Sequence, residues 1–478
     1  MNQNKVALGN SQTLISEKIF EPAAPWILIS SFCLISLLLI GLGPSGAKIL
    51  NFLYPVSAFA IGYYLYFRYP LLYNGLVWWI FFITPFVRRI CDWKLGVFTT
   101  PSGSYILLAP FLVTLISGHT LYSNLPKTKE QGSAPFVFAL ASVLYGYLVG
   151  VINGDFIKTT TSLLEWITPI LFGFHLYVNW QRYPIYTHNV KRVFIWGLLI
   201  MGTYGIYQFL VAPEWDRLWM IGSGMDSSAG SPVPLGMRVW STLNSQGPYA
   251  DYAVTGLLIL LSCEGPLVAP AALVAALSLL LSLVRTAWLG WIVAMLSLIV
   301  SLTPKQKFKV AMAVTILIIV MIPLINIEPF SQVILGRLET MTNLQSDGSG
   351  QARQLTYVLL IDEALSQVVG QGIGSFDTDS AILVLFINLG WIGVIPYMGS
   401  LLMGSVMIFI EKPNKNDLMI PVIRGILIKS LLFLLASPTM RGAQGMLLWG
   451  FLGLGLAGKV YYQNYSLQQA LLLYAHEK

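Results

Sequence analysis

The sequence predicts an all-α integral membrane protein, one polytopic domain over residues 1–478 built as a bundle of about 12–14 membrane-crossing helices. Three observations predict it. Hydrophobic residues make up 56% of the chain and charged residues 10%, whereas a soluble globular chain carries about 25% charge. Too little charge remains to coat a water-facing surface. Mean hydropathy is +0.70. Apolar runs close to the ~20 residues that a helix needs to cross the hydrocarbon core recur along the whole chain.

In order, those runs are 25–43, 49–67, 70–87, 105–122, 134–152, 159–180, 193–211, 247–263, 267–284, 286–302, 308–327, 381–410, 418–436 and 446–462. The run 381–410 holds Gly390, Gly393 and Pro396, which predict a kink or a start outside the bilayer. A polar tail of about 24 residues precedes the first run, and no small-residue cleavage site follows it. The first helix is therefore expected to stay as an anchor.

Orientation follows from Lys and Arg in the short loops. With the N-terminus inside, the inner loops hold Arg68; Lys127 and Lys129; Arg182, Lys191 and Arg192; Lys305, Lys307 and Lys309; and Lys412 and Lys415. The C-terminal tail, with Lys459 and Lys478, falls inside too. Arg88, Arg89 and Lys94 are the exception and fall outside. The formal charge of +7 matches this cytoplasmic excess and also suits a basic pocket for an anionic substrate. Nucleic-acid binding is not expected, because no soluble segment carries a basic run.

Cys33, Cys91 and Cys263 lie too far apart for zinc or redox spacing. His119, His175, His188 and His476 are equally scattered, so no metal site of familiar spacing is expected. Walker, HExxH and GxSxG motifs are absent. Gly370, Gly372 and Gly374 form a G-x-G-x-G, but it follows an amphipathic stretch instead of a strand. It reads as a tight turn returning the chain to the membrane.

Two long loops remain, about 212–246 and 328–380, both expected on the outer face. The first sets Trp215, Trp219 and Trp240 among Gly, Ser and Pro. The second holds an amphipathic stretch over 352–369, with Leu355, Val358, Leu359, Leu365 and Val368 at helical spacing. Such a helix would lie on the membrane surface or cap the bundle.

Charges within the bilayer are costly and mark partners or cavities. Glu165 falls well inside its run, as do Arg424 and Lys429. Snorkelling to the cytosol is the plain reading of Arg424, less so of Lys429. Arg285 reads first as a site residue and second as a snorkelling helix end. Asp251 is expected to pair with Arg238 or Arg285, or to do chemistry. Arg238, Arg285, Arg353 and Arg441 all fall to the outer face. Planar guanidinium groups bind phosphate oxygens in pairs, so four around one cavity would suit a pyrophosphate. Asp251, Asp362, Glu363, Asp377 and Asp379 share that face and include candidate general bases.

Three stretches carry a resemblance to the O-antigen ligase / O-antigen polymerase family. The first is Arg238-Val239-Trp240-Ser241-Thr242-Leu243-Asn244-Ser245-Gln246-Gly247-Pro248, an arginine before a small-polar, Asn-containing turn into a helix. The second is Val284-Arg285-Thr286-Ala287-Trp288-Leu289-Gly290. The third runs from Gln351-Ala352-Arg353, through Gly370-Gln371-Gly372-Ile373-Gly374, to Asn388-Leu389-Gly390-Trp391-Ile392-Gly393. The resemblance covers roughly the last half of the chain. Many ligases of the family carry a His-Asn before the last Gly-x-x-Gly helix, and here Asp379 and Ser380 stand there.

The resemblance implies a GT-C-like bundle in a bacterial inner membrane, both termini cytoplasmic. The implied donor is a glycan on a polyprenyl (undecaprenyl) pyrophosphate, and the acceptor is another glycan, as in capsule, exopolysaccharide or O-antigen assembly. Arg285 and Arg353 would bind the pyrophosphate, and Asp377 or Asp379 would handle the acceptor proton. Arg238, Asn244, Gln246 and Arg441 would extend the substrate pocket. Neither metal nor other cofactor is needed where arginines neutralise the phosphates. Partners would be membrane lipid and a chain-length regulator or flippase. The missing histidine favours a polymerase over a ligase. A flippase or transporter of lipid-linked sugar is the third reading.

Overall fold

A computed structural model describes residues 23–100, 103–129, 131–328, 330–334, 348–410, 417–435 and 437–476. Among them the chain is helical, without strands; a lone antiparallel bridge joins Gly230 and Met237. The helices are α1 Ala23–Gly41, α2 Gly43–Arg68, α3 Pro70–Leu95, α4 Ala109–Leu115, α5 Gly118–Ser123, α6 Ala134–Asn153, α7 Phe156–Val178, α8 Tyr183–Val211, α9 Glu214–Gly222, α10 Asp226–Ala229, α11 Gln246–Leu260, α12 Val268–Leu281, α13 Arg285–Ser301, α14 Pro304–Asn326, α15 Gly348–Ser366, α16 Ala381–Ile410, α17 Met419–Phe433 and α18 Gly442–His476.

Each apolar run in the sequence is largely helical, although 105–122 is split into a short 3-10 turn, α4 and α5. Eight helical segments among the described residues are long and apolar enough to cross a membrane: α1, α2, α3, the broken segment Tyr105–Ser123, α6, Trp180–Val211, Pro304–Pro323 and α16. The outward faces are as apolar as that requires. Val300 is 83% exposed and Ile152 81%, exposures that water would penalise and lipid would not. By contrast α11, α12, α13 and α17 have 15, 14, 17 and 15 residues. At 1.5 Å per residue they reach roughly 21–26 Å, short of the ~30 Å hydrocarbon core. Of these, α11 lies inside, buried continuously from Tyr249 to Leu260, whereas α13 keeps an exposed apolar face that includes Leu296 and Val300.

Small residues set the tightest packing. α7 and α18 run in the same direction, with Pro169 beside Gly445 and Gly173 against Gly453. A Cβ on Gly453 would lie 2.1 Å from the Gly173 carbonyl oxygen. Helix backbones that touch give dispersion contacts which side chains would forfeit in an apolar solvent.

The two long loop regions gather at one end of the bundle, called the loop end below. Phe330 stacks on Phe209 of α8 at 5.8 Å, and Tyr357 of α15 donates to the Leu435 carbonyl at 2.7 Å. The amphipathic stretch is helical, as α15. Its predicted apolar row is the exposed one, with Leu355 59%, Val358 65% and Leu359 67% exposed. A second row, Tyr357, Leu360, Ile361 and Ala364, packs on Leu383 and Ile387 of α16.

The kink expected in α16 lies at Gly390, where φ is +59° and ψ 180°. That conformation is open to glycine alone at low cost. The interrupted helix exposes backbone groups, and residues 367–372 satisfy them. Gln371 and Gly372 donate to the carbonyls of Ile387 and Asn388 at 2.7 and 2.9 Å. Trp391 and Ile392 donate back to Gln367 and Val368 at 3.0 and 3.2 Å. The G-x-G-x-G is thus the returning turn that the sequence suggested, wedged between α16 and α6. A Cβ on Gly372 would meet the Gly150 Cα at 2.1 Å.

Candidate active site

The first loop is anchored by two residues deep in the helices. Arg89 of α3 and Gln208 of α8 are both fully buried. The Gln208 side-chain oxygen accepts from the Trp240 and Ser241 amides at 3.0 and 2.9 Å. Its amide nitrogen donates to Asp216 at 2.9 Å. Arg89 donates to the carbonyls of Ser241 and Leu243 and pairs with Asp216 at 2.9 Å. Burial raises the Asp216 carboxyl above its ordinary range, while Arg89, Tyr204 and Gln208 pull it back.

This resolves the exception in the charge pattern. Arg88 and Arg89, two of its three residues, lie on α3 and are inside the protein instead of on a loop. Arg88 pairs with Asp92 at 3.4 Å, donates to the Thr99 carbonyl and lies 4.3 Å from the Trp219 ring centroid. Two of the loop tryptophans are packed inside: Trp219 is 5% exposed and Trp240 0%.

That anchoring presents the first motif at the loop end. The Val239 amide donates to the Leu281 carbonyl at 3.1 Å, which sets the segment after Arg238 against the end of α12, four residues before Arg285. Arg285 opens α13 and is partly buried. Gln246 opens α11. Asn244 Oδ1 and Gln246 Oε1 are buried and accept no hydrogen bond. Buried acceptors without a donor are uncommon in native proteins and call for a ligand or water.

The α17–α18 turn supplies a second group. Arg441, 13% exposed, donates to Asp377 and stands 3.6 Å from Glu165. Three separate regions meet there: α7, the segment before α16, and the α17–α18 turn. Of the residues named from sequence, Arg441 and Asp377 are in contact. Asp379 is exposed two residues further on. Arg353 falls in α15, and its side chain lies outside the described residues. Glu165 belongs to this group, although sequence reasoning did not place it there. Its signal was a carboxylate well inside an apolar run.

Two expectations for charged residues are corrected. Asp251 pairs with neither Arg238 nor Arg285. It pairs with Lys429 of α17, both side chains 0% exposed. Gln444 donates to the other Asp251 oxygen at 3.0 Å, and Lys429 donates to Thr255 at 2.7 Å. Arg424 does not snorkel. It is 5% exposed and its Nε and Nη2 donate to the Ile408 carbonyl at 3.2 and 2.8 Å. In both cases a buried partner on another helix outcompetes the route to water.

The loop end thus offers arginines for oxyanions, carboxylates beside one of them, and unpaired amide oxygens able to accept from sugar hydroxyls. No protein-family model matches the chain, and no curated protein is a significant sequence match.

Proposed function

We propose that the protein is a membrane glycan polymerase, transferring an oligosaccharide from a polyprenyl pyrophosphate to an acceptor glycan at the loop end. The observation that carries this reading is Arg441, held between Asp377 and Glu165 at the end that also bears Arg238 and Arg285. A pyrophosphate competes for the Arg441 fork and displaces a carboxylate from it. The freed carboxylate then lies beside the acceptor hydroxyl. The bond from the donor's anomeric carbon to the pyrophosphate oxygen breaks as the bond to the acceptor oxygen forms. The hydroxyl proton passes to the carboxylate, and the charge left on the lipid pyrophosphate is stabilised by Arg441 and Arg285. Asn244 and Gln246 accept from sugar hydroxyls. Arg353 would add to the phosphate site, and Asp379 is the alternative proton acceptor. In this reading the loop end is the outer face of a bacterial inner membrane and the fold is GT-C-like.

A ligase would use the same groups with a different acceptor. The flippase reading gains from the interrupted helix α16 and the buried Asp251–Lys429 pair, since broken helices and buried charges are also transporter features. The lipid-linked glycans of cells lacking the protein, beside cells carrying Arg441→Ala, separate the three. Single repeat units on the outer face of the carrier, with long polymer lost, support the polymerase. Long polymer retained on the carrier means a ligase. Units held on the cytoplasmic face mean a flippase and remove the catalytic role of Arg441.

A further inference from the structure

A polar cavity of about 390 Å³ lies at the end of the bundle opposite the loop end, where α2, α3, α5 and α7 end or begin. We infer that it binds a phosphate monoester, at a site separate from the candidate active site and independent of the function proposed above.

The inference starts from one buried ring. His175, in the last turn of α7, is 3% exposed and lines the cavity. Its Nδ1 lies 2.7 Å from the Thr120 hydroxyl, and Thr120 lies 2.7 Å from the Tyr66 hydroxyl. With each hydroxyl donating onward, from Tyr66 to Thr120 and from Thr120 to Nδ1, the ring hydrogen sits on Nε2. Nε2 is buried and has no hydrogen-bond partner in the protein. A donor so placed costs about 1–3 kcal/mol unless something accepts from it.

The charge of the lining says what that something is. Lys127 and Arg182 both line the cavity, and no carboxylate is among its described lining residues. An anion is therefore the complement. Ser123, whose hydroxyl is 3.2 Å from His119 Nδ1, adds a hydroxyl donor to the ammonium, the guanidinium and the Nε2 hydrogen. Donors of four kinds around one space outnumber the two oxygens of a carboxylate and suit the three free oxygens of a phosphate monoester. The volume exceeds a phosphate and leaves room for the first carbons or ring of its alcohol.

Two sources carry this group: the headgroup of an anionic lipid, and a soluble phosphorylated metabolite. The rim favours the lipid. Phe67 is 47% exposed beside Tyr63 at 54%, aromatic residues of the kind that sit where membrane meets water. Basic pockets between helix ends are known seats for lipid headgroups.

The test is native mass spectrometry of the purified full chain, with short-chain phosphatidic acid and glycerol 3-phosphate as separate probes and short-chain phosphatidylcholine as control. The expected result is retention of phosphatidic acid over phosphatidylcholine, weakened about tenfold or more by Arg182→Ala and unchanged by Arg192→Ala. Arg182 and Arg192 are both exposed, so neither change disturbs the core. Binding of phosphatidic acid alone assigns the site to a lipid; binding of glycerol 3-phosphate as well assigns it to a soluble phosphate. Failure of both probes, equal retention of phosphatidylcholine, or equal weakening by Arg182→Ala and Arg192→Ala would overturn the inference. The readout is binding, so it stands or falls apart from polymer synthesis.

Discussion

Lys429 of α17 and Asp251 of α11 form an ion pair in which neither side chain has any exposed surface. The surrounding atoms complete it: Thr255 and Gln444 take up the remaining donor and acceptor positions. Removing one partner leaves a bare charge with no route to water. Such losses cost about 3–5 kcal/mol, whereas replacing both partners with apolar residues of similar volume is often neutral. Asp251→Leu and Lys429→Met are therefore each expected to lower the unfolding temperature in detergent markedly, and the double variant to recover most of it. A double variant no better than either single one would mean that the pair does more than neutralise itself, as a transporter's coupling site would.

Arg89 is the residue on which the first loop closes. It touches Asp216, Ser241 and Leu243, which are far from it in sequence and adjacent only in the fold. Arg89→Ala is expected to cost about 3 kcal/mol and to open residues 223–236 to protease while α8 and α11 stay protected. Arg89→Lys should behave similarly, because a single ammonium cannot serve three partners held by a fork. Protease resistance equal to the parent chain in both variants would remove the anchoring role.

What the sequence disclosed follows from the range of the interaction. Apolar runs are local, so each marked helical chain, with 105–122 broken into short pieces. Trp219 and Trp240 in a polar loop are also a local signal, and both proved buried. The partner of a buried charge is not local: Lys429 and Asp251 are 178 positions apart, and nothing in either neighbourhood distinguishes Lys429 from Arg285 as the mate of Asp251. Helical spacing likewise shows that α15 is amphipathic but not which way it faces. Its rows at Leu355 and at Leu360 are both apolar, and packing on Leu383 and Ile387 settles the choice. At the candidate site Arg441 and Asp377 were each visible singly, and only the fold places Glu165 beside them.

The returning turn gives a sharp steric test. Gly372 has φ +94° and no room for a Cβ, whereas Gly247 has open space around it and no positive φ. Gly372→Ala is expected to lose about 3 kcal/mol or more from backbone strain and overpacking together, and Gly247→Ala much less. Expression and thermal stability of the two proteins, side by side, decide it. Equal stability would show that residues 367–374 are not wedged between α6 and α16.

Arg441→Lys separates charge from geometry at the candidate active site. Lysine keeps the positive charge beside Glu165 and Asp377, so the local attraction survives. It loses the planar pair of donors that can grip a carboxylate and a phosphate oxygen at once. If the guanidinium carries leaving-group charge in the transition state, polymer synthesis from a purified lipid-linked repeat unit should fall by roughly a hundredfold, with Arg441→Ala at least as low. Both variants should insert and elute as the parent does, since Arg441 sits at a turn with part of its surface exposed. Asp377→Asn should lower the rate at neutral pH if Asp377 takes the acceptor proton, with Asp379→Asn as the matched test of the neighbouring carboxylate. An Arg441→Lys protein with undiminished turnover would reduce Arg441 to a latch holding the α17–α18 turn against α7, and stabilisation of the leaving-group charge would then fall to Arg285 in place of Arg441.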